Sequence, residues 1–137
     1  FIMKIITYLP IILLLTVTVG CSQTDKESKG EMTFKGSLTH NYGQIPYDSD
    51  GSHNFVFKNT GKSTLIITNV VSSCGCTVPL YPKKPIEKGD TDTIQVLYNT
   101  KDVGTFAKSV VVHFTGEDSP IILRIQGEVL PPENSSY

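Results

Sequence analysis

Arginine and surplus positive charge are scarce in this sequence. Arg124 is the only arginine among twelve basic residues, and thirteen acidic residues give the 137-residue chain a formal net charge of −1. Binding of nucleic acid needs a dense basic face, and bidentate recognition of phosphate favours arginine over lysine. The composition therefore predicts neither a nucleic-acid partner nor a phosphate ligand.

Local motifs of the common enzyme classes are also missing. The chain has no G-x-S-x-G elbow, no H-E-x-x-H zinc motif, no phosphate-binding loop and no G-x-G-x-x-G after a strand. Internal repeats and sustained helical spacing of apolar residues are absent as well. We therefore predict that the protein is not an enzyme and that it uses no cofactor.

The start of the chain is typical of a secretory signal. From Met3 the sequence reads Met-Lys, and an apolar run follows from Ile5 to Val19, interrupted by Pro10. A positive start and a short apolar stretch define such signals, whereas a membrane-spanning helix needs about 20 apolar residues. Residues 1–20 are therefore interpreted as a signal peptide.

Cys21 is the predicted site of a lipid anchor. Residues 18–21 (Thr-Val-Gly-Cys) resemble the lipobox of bacterial lipoproteins, although Thr18 replaces the usual leucine. In lipoproteins the chain is cleaved before this cysteine, whose thiol then carries diacylglycerol; each buried acyl methylene contributes about 0.8 kcal/mol. Ser22 after the cysteine resembles lipoproteins of an outer membrane. The alternative is an ordinary signal with a cysteine nearby.

Polar segments flank one predicted domain. Residues 22–31 contain no apolar side chain, so residues 21–31 are predicted to be the lipid-bearing cysteine and a flexible tether. Residues 131–137 begin with two prolines and are predicted to be a disordered tail. Residues 32–130 suffice for one compact domain.

Apolar residues within this domain alternate with a period of two, which predicts an all-β fold. In residues 91–98, for example, Ile94, Val96 and Tyr98 share one face. Predicted strands lie near residues 32–39, 53–57, 64–72, 77–79, 91–98, 106–114 and 121–130. About seven short strands at this spacing are typical of an immunoglobulin-like antiparallel β-sandwich.

Loops and turns separate these strands. Residues 40–52, 81–90 and 101–105 are predicted loops, and Tyr42 and Tyr47 in the first of them either face a ligand or cover the end of the core. The residues predicted to shape turns are Asn59, Gly61, Gly75 and Gly89.

Cys74 and Cys76 are separated only by Gly75. In an oxidising compartment two free thiols are not expected to persist. An extended chain would hold them near the upper limit of disulfide geometry, and Gly75 is predicted to let the backbone bend. The small ring would constrain the unfolded chain little, and strained disulfides are easier to reduce.

Several roles for this cysteine pair stay open. A local disulfide would pin the turn after residues 64–72. A redox-active dithiol would exchange with partner proteins, although the C-x-x-C context before a helix is absent. A copper(I) or zinc site would add His53 or His113, but further ligands at a recognisable spacing are missing. A cysteine nucleophile with a histidine base has no local signature.

Short motifs run along the domain from Phe34 to Leu130, and Ser-Cys-Gly-Cys-Thr at residues 73–77 is the most specific. The others are His53-x-Phe55-x-Phe57-x-Asn59-x-Gly61, Leu65-x-Ile67-x-x-Val70, Pro85-Ile86-x-x-Gly89, Gly104-Thr-Phe106-x-Lys108 and Ile125-x-Gly127-x-Val129. Together they resemble bacterial domain of unknown function family 1573. Lys88-Gly89 stands where that family usually has Pro-Gly, which bears on loop rigidity.

The resemblance implies a fold and a compartment. The family is similar to immunoglobulin-like domains of the abnormal-spindle, hydin and major-sperm-protein type, and it commonly occurs in exported proteins, often lipoproteins. It implies no established activity. We therefore predict a non-catalytic binding or structural module of the cell envelope that contacts a protein or glycan through end loops or an edge strand. The alternative is a redox-active or metal-handling lipoprotein that uses Cys74 and Cys76.

Overall fold

The computed structural model describes residues 32–116 and 118–133. They form eight strands: β1 (Met32–Phe34), β2 (Thr39–Ile45), β3 (Ser52–Asn59), β4 (Ile67–Ser72), β5 (Thr77–Leu80), β6 (Thr91–Tyr98), β7 (Gly104–Phe114) and β8 (Ile121–Val129). The first sheet has the order β1-β3-β6-β5 and the second the order β2-β8-β7-β4. The described residues contain no helix, and hence none of the length and apolarity that a bilayer crossing requires.

Several predicted features lie outside the described residues. They are the signal peptide at 1–20, Cys21 with the tether that ends at residue 31, and residues 134–137 of the tail. The described part of the tail, residues 131–133, is exposed and forms no strand.

The predicted all-β sandwich is confirmed, but its first strand is divided. A single strand was expected near residues 32–39, whereas β1 pairs with β3 in the first sheet and β2 pairs with β8 in the second. Gly36 between them has a φ of +101°, in a region that favours glycine because it has no Cβ. The chain therefore turns here and passes from one sheet to the other.

β2 corrects two further expectations. It occupies part of the segment 40–52 that was predicted to be a loop, and it runs parallel to β8, so that the sandwich is not wholly antiparallel. The strand lies at an edge, is nowhere fully buried and carries a bulge between Asn41 and Gln44. Because a half-exposed edge needs no apolar alternation, the sequence gives little sign of it.

The hydrophobic core lies between the two sheets. Its largest fully buried apolar side chains are Phe57, Leu65, Ile94, Leu123, Ile125, Val96, Val110, Val112 and Val129. Burial of one such side chain stabilises the fold by about 1.5–3 kcal/mol. The regular inward alternation along β6, β7 and β8 thus explains both the strands and their packing.

Asn59 at the end of β3 is a fully buried polar residue whose side chain is satisfied by backbone groups. Its Nδ2 donates to the carbonyl oxygens of Ser63 (2.8 Å) and Ile86 (2.9 Å), and its Oδ1 accepts the N–H of Gly61 (3.0 Å). The N–H of Gly89, whose φ is +87°, donates to the Asn59 carbonyl (2.8 Å). One amide therefore joins the β3–β4 loop to the β5–β6 loop.

Replacement of Asn59 is expected to destabilise the domain strongly. Asn59→Ala leaves the buried Gly61 N–H without its acceptor and removes the hydrogen bonds to the carbonyl oxygens of Ser63 and Ile86, of which the second keeps the Leu65 N–H. An unpaired buried group costs about 1–3 kcal/mol and a lost hydrogen bond about 1 kcal/mol, so the free energy of unfolding should fall by about 2–4 kcal/mol. Asn54→Ala, at an exposed position of the same strand, is the control and should change it by less than about 0.5 kcal/mol. Urea unfolding followed by circular dichroism measures both values. Equal losses in the two variants would contradict the role assigned to Asn59.

Candidate functional site

The predicted cysteine pair lies where the chain crosses from the second sheet back to the first. β4 is an edge strand of one sheet and β5 is an edge strand of the other. Residues 73–76, here called the crossover turn, connect them. Cys74 and Cys76 are joined by a disulfide with a Cα–Cα distance of 5.3 Å, and both side chains are half-buried. Of the roles left open for the pair, the structure contains the local disulfide.

Hydrogen bonds that involve no sulfur atom hold the backbone of this turn. They are Ser72 Oγ to the Cys74 carbonyl (2.8 Å), the Thr77 N–H to the same carbonyl (3.4 Å), the Asn99 N–H to the Cys76 carbonyl (2.9 Å) and the Ser73 N–H to the Ser109 carbonyl (2.9 Å). The turn is therefore fastened to β7 and to the residue that follows β6, independently of the disulfide.

Gly75 is less constrained than the sequence suggested. Its φ lies outside the left-handed region that favours glycine. No atom lies within 4 Å of the position that a Cβ would take. The bend between the cysteines thus needs neither the special φ range nor the small size of glycine.

The two sulfur atoms have different surroundings. Cys76 packs against the hydrophobic core, and Cys74 is not part of that packing. Thr77 is 2% exposed, and its Oγ1 lies 3.7 Å from Cys74 Sγ and 3.9 Å from Cys76 Sγ. A hydroxyl at this position is able to donate to either sulfur atom.

Exposed apolar side chains flank the turn on both strands. Val71 on β4 is 47% exposed, and Val78 and Leu80 on β5 are 51% and 50% exposed. Val71 stands opposite Val111, which stands opposite Ile122. We call Val71, Val111 and Ile122 the outer apolar row, since they lie side by side on the outer face of the second sheet.

The four edge strands differ in how they are protected against pairing with another chain. β1 has three residues, and β5 contains Pro79. On β2, two backbone N–H groups are already hydrogen-bonded to side chains: Ser37 Oγ accepts the Thr39 N–H (3.0 Å), and Asn41 Oδ1 accepts the Gly43 N–H (2.9 Å). β4 has six residues and includes neither proline nor a charged side chain. Short length, proline and local capping are ways in which proteins protect edges, and β4 uses none of these three. Its one irregularity is a register shift between Ile67 and Asn69, so the regular part of its edge is residues 69–72.

The histidines considered as metal ligands do not belong to any group of three ligating side chains among the described residues. His53 on β3 stacks on His40 of β2, with ring centroids 3.5 Å apart and planes at 8°. His113 on β7 is exposed and stands opposite Asn69. Throughout residues 32–116 and 118–133, no three His, Cys, Asp or Glu side chains are grouped to hold a metal ion. The arrangement gives no support to the metal-site alternative.

The His40–His53 stack joins the two sheets within an aromatic cluster. His40 contacts Tyr42 edge to face (4.4 Å between centroids), and the Tyr42 hydroxyl donates to the Gly51 carbonyl (2.8 Å). Burial, and then the charge of Asp50, raises the pKa of Tyr42 to about 12. Tyr42 therefore covers the end of the core.

Tyr47 and a shallow depression beside β2 are the other surface features considered for binding. Tyr47, the second loop tyrosine, is 38% exposed. A shallow depression of about 400 Å³ lies beside β2; its lining residues are Asn41, Gly43, Gln44, Thr105, Phe106, Ala107, Gln126, Gly127 and Glu128. Gln44 Nε2 already donates to Glu128 Oε2 (2.9 Å).

Sequence reasoning missed two of these contacts. Thr77 belongs to the Ser-Cys-Gly-Cys-Thr motif, so the motif itself was a signal that its hydroxyl lies near the sulfurs. The stack of His40 on His53 had no local signal, because the two residues come from strands of different sheets.

Solved structures with the same architecture define the class of fold. The chain superposes on the ASH/PapD-like domain 7 of human CEP192 with a TM-score of 0.61 at 8% identity, covering 78% of this chain and 89% of that one. It superposes on the Vibrio cholerae VesB protease with a TM-score of 0.54 at 16% identity, covering 71% of this chain and 31% of that one. It superposes on the chaperone–tip adhesion subunit complex of Acinetobacter baumannii Csu pili with a TM-score of 0.50 at 11% identity, covering 71% of this chain and 57% of that one. The immunoglobulin-like, PapD-like sandwich is thus confirmed, and this chain spans only part of the last two.

The chain belongs to the family described as "Protein of unknown function (DUF1573)", whose model matches residues 32–129. This confirms the resemblance inferred from the motifs. No curated protein matches the chain. The description of the family assigns no activity to the domain.

The His40–His53 stack predicts that stability falls in acid. Burial lowers the pKa of both imidazoles below the ordinary 6.5, and the charge of His40 lowers that of His53 further. Below about pH 6.5 the unfolded chain therefore binds more protons than the folded one. The contribution of the two histidines to the free energy of unfolding is greatest above that pH and declines as the pH falls.

Urea midpoints at about pH 7.5 and about pH 5 measure this effect. His53→Gln removes one of the titrating rings and should shrink the difference between the two midpoints. His113→Gln, at an exposed position, is the control and should leave the difference as it is in the native chain. A His53→Gln chain with the native difference would show that the stack does not contribute.

Proposed function

We propose that this protein is a non-catalytic binding module of the bacterial cell envelope, tethered to a membrane by lipid on Cys21, that pairs an extended segment of a partner protein with the free edge of β4. The observation that carries the proposal is the edge of β4 at residues 69–72, which pairs regularly with β7 on one side and has neither proline nor charge. Addition of a strand to an open sheet edge is a common mode of peptide recognition.

The register of β4 identifies the backbone groups that are free to pair. Ser73 donates its N–H to Ser109, in line with the pairing of Val71 with Val111. In an antiparallel pair, alternate residues direct their N–H and C=O groups toward the partner strand. By this parity the groups of Val70 and Ser72 point away from β7, toward an incoming strand.

The chemistry around this edge favours an uncharged, apolar segment. β4 has no charged side chain, and the outer apolar row continues from Val71 across β7 and β8. A partner strand beside β4 would extend this row by one side chain and shield it from water, at about 25 cal/mol per Å² of apolar surface buried. Specificity would come from alternate side chains of the added strand.

The neighbouring structures support a protein partner and an envelope location. The Acinetobacter baumannii complex is a chaperone with a pilus tip adhesion subunit, and another neighbour, SfaE, is a periplasmic chaperone. Both have this fold at low identity. The lipid anchor rests on the sequence around Cys21, and an outer-membrane address rests on Ser22.

A charged residue at the β4 edge is expected to abolish partner capture. Val71→Lys places an ammonium group where the added strand would pack, so the yield of partner crosslinked in living cells should fall at least about tenfold. Val103→Lys is the matched control, since Val103 is 52% exposed in the loop before β7. The measurement is mass spectrometry of crosslinked complexes, with unfolding curves of both variants. Equal capture by the two variants would contradict binding at β4.

The lipid anchor has its own test. Cys21→Ser removes the only thiol that the lipobox pattern assigns to lipid, so the chain should lose incorporation of labelled fatty acid and leave the detergent phase in a phase-separating detergent. The Cys74→Ser/Cys76→Ser variant is the control and should retain both properties. A Cys21→Ser chain that still carries fatty acid would rule out anchoring at this residue.

A further inference from the structure

The Cys74–Cys76 disulfide contributes little to holding the chain that it joins. The ring encloses one residue, Gly75, and loop-closure entropy makes such a ring a weak constraint on the unfolded chain. The crossover turn is fastened by hydrogen bonds from Ser72, Asn99 and other groups that survive the loss of the sulfur–sulfur bond. Reduction would therefore leave the fold in place.

We propose that Cys74 and Cys76 form a reversible thiol–disulfide exchange site, reduced by a protein dithiol that attacks Cys74. This goes beyond the binding function proposed above, because it adds a chemical reaction at the sulfur atoms that pairing with β4 does not need. Accessible disulfides are the labile ones, whereas structural disulfides resist reduction. Both cysteines are half-buried, so the pair is not sealed inside the core.

The different packing of the two sulfurs gives the reaction a direction. Cys76 lies against the core, so an incoming thiolate meets Cys74 first. It attacks Cys74 Sγ, the Cys74–Cys76 bond breaks, and Cys76 leaves as a thiolate that takes a proton from water. The second thiol of the partner, once deprotonated, attacks the mixed disulfide and releases Cys74 as a thiolate. The partner becomes a disulfide, and this chain gains two electrons and two protons.

Thr77 is suited to assist the step in which Cys76 leaves. Its Oγ1 lies 3.9 Å from Cys76 Sγ, and its side chain is almost completely buried. A hydrogen bond to a thiolate favours the charged form and lowers the pKa of the thiol, and a thiol of lower pKa leaves faster. We assign Thr77 this positioning role.

The approach surface is neutral and partly apolar. Residues 71–80 contain no charged side chain. Val71 and Val78 on either side of the turn are about half exposed. A partner would therefore dock by apolar contact, and added salt should change the rate of exchange little.

Glutathione is the probe for reversibility. The purified full chain in mild detergent is equilibrated with millimolar reduced glutathione and increasing oxidised glutathione, quenched with acid and alkylated. Mass spectrometry of the peptide that contains both cysteines then gives the dithiol fraction. We expect this fraction to rise and fall reversibly with the glutathione ratio, while the circular dichroism spectrum stays native. A bond that remains oxidised throughout, or a reduced chain that unfolds, overturns the proposal.

A matched variant separates a chemical role from a structural one. The Cys74→Ser/Cys76→Ser chain should unfold within a few degrees of the native chain, because the hydrogen bonds of the turn remain. It should also capture the β4 partner normally, so that failure of exchange and failure of partner binding are distinguishable. A variant that does not fold would show that the disulfide is structural and would overturn the exchange site.

The direction of attack and the role of Thr77 have separate readouts. Early in the reaction, glutathione should be found on Cys74 in at least about tenfold excess over Cys76; equal amounts would overturn attack at Cys74. Thr77→Val should slow appearance of the dithiol by about three- to tenfold, and Thr77→Ser, which keeps the hydroxyl, should restore it. Equal rates in both variants, with native unfolding curves, would remove Thr77 from the mechanism.

Discussion

The position of β4 depends on two crossings between the sheets, and buried or local hydrogen bonds fix both. Before β4, the chain leaves the first sheet at Asn59, whose carboxamide holds the loop at Ser63 and Ile86. After β4, it returns to the first sheet through the crossover turn, which is tied to Asn99 on one side. Because both ends are fixed, β4 keeps a defined register at an otherwise open edge, and an open edge with a fixed register is what strand addition requires.

The fold could be predicted where its cause is local. β6 begins and ends where the alternation of Ile94, Val96 and Tyr98 placed it, because those three side chains are all buried in one face. β2 could not be found in this way, since its half-exposed residues need no alternation and its parallel partner β8 is about 85 residues later in sequence. Long-range pairing leaves no mark in a local pattern.

The candidate site shows the same division between local and distant causes. A disulfide between Cys74 and Cys76 was one of the roles predicted from adjacency and an expected oxidising compartment, and the structure contains it. What fastens the turn does not follow, because Asn99 and Ser109 belong to other strands or loops. Asn59 was predicted to shape a local turn, and its hydrogen bond from the Gly61 N–H agrees with that. Its second bond, to the Ile86 carbonyl 27 residues away, connects two loops and was not predicted.

The β4 edge and the disulfide are close enough to act on one partner. β4 ends at Ser72, two residues before Cys74, and a strand rises about 3.3 Å per residue, so the Cα atom of Cys74 lies within about 7 Å of that of Ser72, the last pairing position. A segment paired with β4 would hold a thiol just beyond its own end beside Cys74. Pairing would then replace a bimolecular encounter by an intramolecular one and raise the effective thiol concentration to the millimolar range. Specificity for the partner would come from the edge and the chemistry from the sulfurs, so that neither surface needs to supply both.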